Sequence, residues 1–153
     1  MRVPIGRGLF AIVDDEDFEL VSNYRWHPHR SRDNALYYAS TNVKMHRLVT
    51  KAPLGVMVDH INGDALDNRR CNLRLCTNAQ NQQNTRSRGG TSQYKGVSFI
   101  AKAQKWLGSF VYEGERYHCG LFESEQECAR AVDKARQEVC GEFALLNFPH
   151  TDD

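Results

Sequence analysis

No CxxC pair, no apolar run long enough to cross a bilayer and no surplus of charge of either sign occurs in this sequence. The five cysteines, Cys71, Cys76, Cys119, Cys128 and Cys140, are odd in number and scattered. They suggest neither a disulfide framework nor a zinc ribbon, and read as reduced thiols that pack as small hydrophobes. A bilayer span needs roughly 18–20 consecutive apolar residues, so no membrane partner is expected. The N-terminal stretch MRVPIGRGLFAIVDDEDF lacks the apolar core and small-residue cleavage site of a secretory signal. An intracellular setting is therefore expected. Internal repeats and low-complexity tracts are missing as well.

What is present suits a globular chain: 41% hydrophobic and 25% charged residues, with 153 residues in all, room for one ordinary domain or two small ones. The net charge of +1 hides an uneven distribution. Residues 1–88 hold 13 Lys+Arg and 9 Asp+Glu, whereas residues 89–153 hold 7 and 10. Five arginines, Arg69, Arg70, Arg74, Arg86 and Arg88, fall in one stretch that contains no acid. A local basic surface meets phosphates whatever the total charge. Taken alone, the stretch also fits a merely solvated face.

RSRGGTSQ, residues 86–93, is small, polar and without apolar periodicity, and reads as a linker. It predicts two domains, 1–88 and 89–153. In the first, LFAIVDD reads as a strand, DDEDFELVSNYRW as an acid-led helical turn, and ALYYAS as a strand. VKMHRLVTKA has a helical apolar face, stopped by the proline of APLG. VMVDHI and NLRL are strands around an Asn62-Gly63 turn, and Thr77 with Gln80 marks a helix start. In the second domain YKGVSFI and KWLGSFVYEGERYHCGLF predict three strands, with a turn at Glu113-Gly114. A helix capped by Ser124 and Glu127 follows, and Gly141 ends it. The fold class is α+β: strand, loop, strand, helix, then a small three-stranded antiparallel sheet with one helix packed on its back.

The chemistry concentrates in DHINGDALDNRRCNLRLCTNAQN, residues 59–81. Cutting a phosphodiester needs an activated water, charge compensation on the phosphate and stabilisation of the departing oxygen. A histidine takes a proton near neutral pH. A hard divalent cation held by oxygen donors answers the other two needs. Asp59 and Asn81 supply a carboxylate and an amide carbonyl, and His60 sits beside Asp59 on a strand, where neighbouring side chains diverge.

That segment, with the preceding MHRLV and the upstream IVDDEDFELVSNYRWH, resembles HNH nucleases of the ββα-metal fold, in the branch found in phage and intron-encoded homing endonucleases. The resemblance covers most of residues 10–85. It implies His60 as general base, Asp59 and Asn81 as ligands of one divalent metal, Mg2+ or Mn2+, and Asn72 as the residue that bonds the His60 loop and holds it in place. The third motif position is Asn81 where many relatives have histidine. Arg69, Arg70 and Arg74 then gain a role as phosphate contacts that position a duplex without reading it. His46 fits a DNA contact, support of the metal site, or simple packing of its helix. His27 and His29 fit packing better.

YKGV, CGLFES, ARAVDKA and ALLNFP, between about 94 and 149, resemble a second family, the ethylene-response-factor or APETALA-type DNA-binding domain. This resemblance implies a sheet lying in the major groove. Its DNA-facing residues are Lys95, Ser98, Lys102, Lys105, Ser109, Arg116 and His118, while Trp106, Phe110 and Phe122 belong to the core. Ser98, Ile100, Val111 and His118 replace arginine and tryptophan positions of the plant pattern, which predicts weaker and less base-selective binding. Together the two resemblances imply a metal-dependent endonuclease without a small-molecule cofactor, acting as a monomer on double-stranded DNA. It would nick one strand, leave 5′-phosphate and 3′-hydroxyl ends, and work in a host cell cytoplasm as a phage or mobile-element product. The alternative is a DNA-binding regulator with a vestigial nuclease half.

Overall fold

Hairpins dominate the computed structural model, which describes residues 1–31, 36–87 and 89–149. The chain combines helices with small antiparallel sheets and falls into two units, Met1–Thr77 and Asn78–Asp153. Arg88 lies outside the described residues.

The first unit opens with a hairpin of β1 (Arg2–Gly6) and β2 (Leu9–Ile12). Its turn needs left-handed backbone at three successive residues, Gly6 (φ 90), Arg7 (φ 55) and Gly8 (φ 73), and two of the three are glycine. Helix α1 (Asp15–Ser22) follows, with Asp15, Glu16 and Asp17 in its first turn, where carboxylates suit the helix dipole. A second hairpin joins β3 (His27–Arg30) to β4 (Tyr37–Ser40). Helix α2 (Met45–Thr50) stops before the proline that was expected to end it, because Lys51 turns left-handed at φ 51. The third hairpin pairs β5 (Met57–His60) with β6 (Leu73–Cys76). Ile5, Val13, Val21, Met45 and Val49 are sealed in one core with Val3, Ala11, Trp26, Ala39 and Leu73. Arg47 fixes α2 to the chain that follows it: its guanidinium donates to the carbonyls of Val56 (2.6 Å), Pro53 (2.7 Å) and Ala52 (3.2 Å).

β1 and β3 were not read as strands. Each carries a proline, Pro4 and Pro28, which argues against a central strand. Both sit in two-stranded hairpins, where each strand has an open edge and a missing N–H is tolerated.

The division falls at Thr77, N-terminal to the linker read at 86–93. Helix α3 (Asn78–Gln83) is bonded into the second unit. Gln83 donates to the Val111 carbonyl at 3.0 Å and its own carbonyl accepts from Arg136 at 2.7 Å. The Lys95 ammonium donates to the carbonyls of Gln82 and Gln83 at 2.9 and 2.8 Å.

In that unit β7 (Val97–Ile100), β8 (Lys105–Tyr112) and β9 (Glu115–Phe122) pair antiparallel in chain order. Helix α4 (Glu125–Cys140) packs on one face through Cys128, Ala129 and Val132, with Val97, Trp106, Cys119 and Phe122 around them. Ser124 accepts from the Glu127 N–H at the helix start. The C-terminal segment is pinned by Asp133, which accepts from the N–H groups of Asn147 and Phe148, both at 2.9 Å. Gly96 and Gly108 let the sheet touch the helix closely. A Cβ at Gly108 would stand 2.8 Å from Val132 and 3.1 Å from both Cys119 and Cys128.

Gly108→Ala therefore overpacks the sheet–helix contact and is expected to lower the unfolding free energy by about 1–3 kcal/mol in urea titrations.

Candidate active site

Asp59 and His60 are the last two residues of β5, each only 6% exposed. β6 stands opposite, with Arg74 across from Asp59 and Leu73 across from His60. The loop between the strands is short of regular structure but rich in side chains that bond backbone. Asn62 accepts from the Asp64 N–H at 2.8 Å, and Asp64 accepts from Leu66 at 2.9 Å. These are turns closed by Asx side chains. Asn72 spans the loop: its carbonyl oxygen accepts from the Asn62 N–H at 2.9 Å, and its amide donates to the Asp67 carbonyl at 2.8 Å. Two further backbone bonds, Ile12 N–H to the Leu66 carbonyl (2.8 Å) and Asn68 N–H to the Ile12 carbonyl (2.7 Å), sew the loop to the end of β2.

His60 is enclosed by this loop and by rings. Its Nε2 lies 3.5 Å from the Asn68 side-chain oxygen. The His46 ring stands at 5.0 Å between centroids and 87° to it, and Tyr38 approaches at 6.1 Å. Burial lowers the His60 pKa below the ordinary imidazole value, against the opposite pull of Asn68, Asp59, Asp64 and Asp67. Burial thus disfavours the charged ring and favours the form that accepts a proton. His46 is lowered further, to about 3, by burial first and then by His60, Lys44 and Arg47.

Three of the arginines expected to face phosphate each hold a carboxylate. Arg69 chelates Asp67 through two bonds of 2.8 and 2.7 Å, and this pairing keeps the Asp67 carboxyl below the usual carboxylate range. Arg70 likewise grips Asp17 through two bonds, of 2.7 and 2.6 Å. Both guanidinium groups remain nearly half-exposed, so an outer edge faces solvent. Arg74 differs. Its side chain is 12% exposed, and it donates twice to Asp59 Oδ2, at 3.0 and 2.8 Å. In this conformation Arg74 is the counter-ion of a buried carboxylate.

Asp59 and Asn81 offer the hard oxygen donors a divalent cation prefers. Asp59 shares one of its oxygens with Arg74, and Asn81 lies half-buried on α3 in the second unit. Among the described residues no three His, Cys, Asp or Glu side chains are grouped so as to hold a metal ion. Each side chain by itself is an oxygen donor, and the Asp59 carboxylate is shared with the guanidinium beside it.

In the second unit the cross-strand pairs Ser109–His118 and Val111–Arg116 lie on neighbouring strands of one sheet, and Ser98 stands opposite Leu107. Val111, Arg116, His118 and Leu121 are exposed. Lys102 is exposed in the turn before β8, and Lys105 lies 3.7 Å from Glu123. Arg86 is exposed beyond α3. Lys95 departs from the expected set, since its ammonium is committed to the C-terminal carbonyls of α3, the negative end of that helix.

Sequence reading passed over Asp67, Asn68 and Tyr38. Asp67 is 3% exposed and bonds Asn62 and Arg69, while its carbonyl accepts from Asn72. The recurrence of Asn and Asp at 62, 64, 67 and 68 was the available signal, since these residues close turns on their own backbone.

A family model described as an HNH endonuclease matches residues 43–83. The chain is similar to an uncharacterized HNH endonuclease of Acanthamoeba polyphaga mimivirus, 30% identical over 148 residues that cover 93% of this chain and 76% of that protein. It is also similar to protein 3.8 of Escherichia phage T7, 32% identical over 95 residues, 60% of this chain and 76% of that one. No solved structure matches. Among the described residues no helix is long and apolar enough to cross a membrane.

Two outcomes are expected. Arg74→Ala strands the Asp59 charge in a buried site and lowers stability by about 3 kcal/mol in urea unfolding. The second concerns acid. The folded chain keeps His46 unprotonated down to about 3, whereas the unfolded chain takes up that proton near 6.5. Between those values the unfolded state binds more protons, so stability falls as pH drops. His46→Phe should lose about 2 kcal/mol less than the parent chain on going from pH 7 to pH 5.

Proposed function

The chain belongs to the HNH endonuclease family, enzymes that act on nucleic acid, and on that premise we propose that it opens double-stranded DNA by metal-dependent hydrolysis. The observation that carries this reading is a buried imidazole at the end of β5, in a loop that Asn72 ties on both sides. His60 is the general base. It takes a proton from a water whose oxygen attacks phosphorus. The bond to the 3′ oxygen breaks, that oxygen gains a proton, and the ends are a 5′-phosphate and a 3′-hydroxyl. Asn72 keeps the His60 loop fixed while this happens.

Asp59 and Asn81 are the residues that would hold the cation, Mg2+ or Mn2+. Such an ion, when bound, compensates charge on the phosphate and on the departing oxygen. Arg74, released from Asp59, then has a guanidinium for phosphate, beside the open edges of Arg69 and Arg70. Arg86 and Arg88 extend the same basic stretch. One histidine and one cation site per chain serve one strand, so a monomer nicks.

The second unit supplies DNA affinity in this reading, as the resemblance to the ethylene-response-factor domain suggests. Ser98, Lys102, Lys105, Ser109, Arg116 and His118 meet backbone and base edges. The exposed apolar residues of the same strands, Val111 and Leu121, suit contact with thymine methyl groups in the major groove. Lys95 is left to its structural bonds. Two modest contacts on one chain raise each other's effective concentration. Both relatives are viral proteins, which favours a phage or viral setting with action in the host cytoplasm.

Supercoiled plasmid with Mg2+ or Mn2+ tests the reading. The parent chain should convert it to open circle, and His60→Ala should leave it supercoiled while still retarding DNA in a gel. A parent chain that binds the plasmid but never nicks it, with either ion, would instead be a regulator with a vestigial site.

A further inference from the structure

We propose that His46 is a positioning residue, whose ring sets the plane of the His60 imidazole. The inference rests on His60 being the base. The rotation that turns a histidine ring about its own stem has broad wells, so local stereochemistry leaves the plane loosely defined. Neighbours must define it. Here the His46 ring stands perpendicular to His60, at 87° and 5.0 Å between centroids. Tyr38 meets both rings, His46 edge-on at 5.7 Å and His60 at 6.1 Å. A turn of the His60 ring changes its packing against both.

His46 is itself hard to move. It lies in the first turn of α2, between Lys44 and Arg47, and is 6% exposed. Met45 and Val49, on the same helix, are fully buried in the core. The Arg47 clamp on Ala52, Pro53 and Val56 holds the helix against the chain that leads into β5. That chain delivers His60. Both histidines are thus referenced to one short rigid connection.

The nitrogen chemistry of His46 points the same way. Its Nδ1 is buried and has no hydrogen-bond partner. A buried unpaired nitrogen costs stability and anchors nothing. What the geometry shows it giving to His60 is the flat ring, set perpendicular at 5.0 Å, and a phenyl ring can supply that. The neutral state of His46 also spares His60 a cation at its side.

Three variants of the full chain test this on supercoiled plasmid. His46→Leu fills the space without a flat ring, and should lower kcat about 10²-fold, the scale of a catalytic group misplaced by an ångström. KM should stay within about twofold, because DNA contacts lie elsewhere. His46→Phe should recover most of the lost kcat. A fully active His46→Leu, or a folded His46→Phe as slow as His46→Leu, overturns the proposal. His60→Ala separates this from the parent reading: if it still nicks, the base assignment itself has failed. Should His46→Leu not fold, the parent chain gives the answer by NMR. An NOE between the His46 and His60 ring protons is expected, and its absence overturns the proposal.

Discussion

Everything at the candidate site depends on one side chain spanning a loop. Asn72 accepts from one flank of the β5–β6 connection and donates to the other. An amide does this well, since it presents an acceptor and a donor at a fixed separation. Without it, the loop would rely on turns that each close over only two residues. With it, the end of β5 is part of a closed frame, and the frame is sewn to β2 by backbone bonds. A buried histidine placed on such a frame keeps its position without help from a ligand.

The electrostatics follow the same economy. Asp59, Asp67 and Asp17 are each nearly sealed from water, and each is matched to an arginine that lies close by in the fold. Two of these arginines keep an edge in solvent and the third is mostly buried. The distinction separates a surface that can meet phosphate at once from one that first needs rearrangement. The second unit solves a different problem. Glycine at 96 and 108 brings a sheet close against α4 on one face, so side chains of mixed character are carried by the other.

Local features of the fold were legible in the sequence. The Asn62-Gly63 turn, the strand-loop-strand order and the Ser124 cap are each written within a few residues. The pairing of arginines with carboxylates was not, because Arg70 and Asp17 are remote in the chain and the acid-free stretch looked like open positive surface. The His46–His60 contact is hidden for the same reason: α2 and β5 are separate elements, and only packing puts their rings together. β1 and β3 were concealed by proline. The grouping of α3 depends on Arg136 and Lys95 reaching its carbonyls, long-range bonds that no periodicity signals.

The pairing of Asp59 with Arg74 has a consequence for the life of the protein. A buried carboxylate without a counter-charge would be an electrical fault in a folded chain. Here the strand opposite already carries the balancing charge. Newly made chains can reach their final shape in ion-poor surroundings. The negative charge of Asp59 is balanced by a side chain of the fold itself.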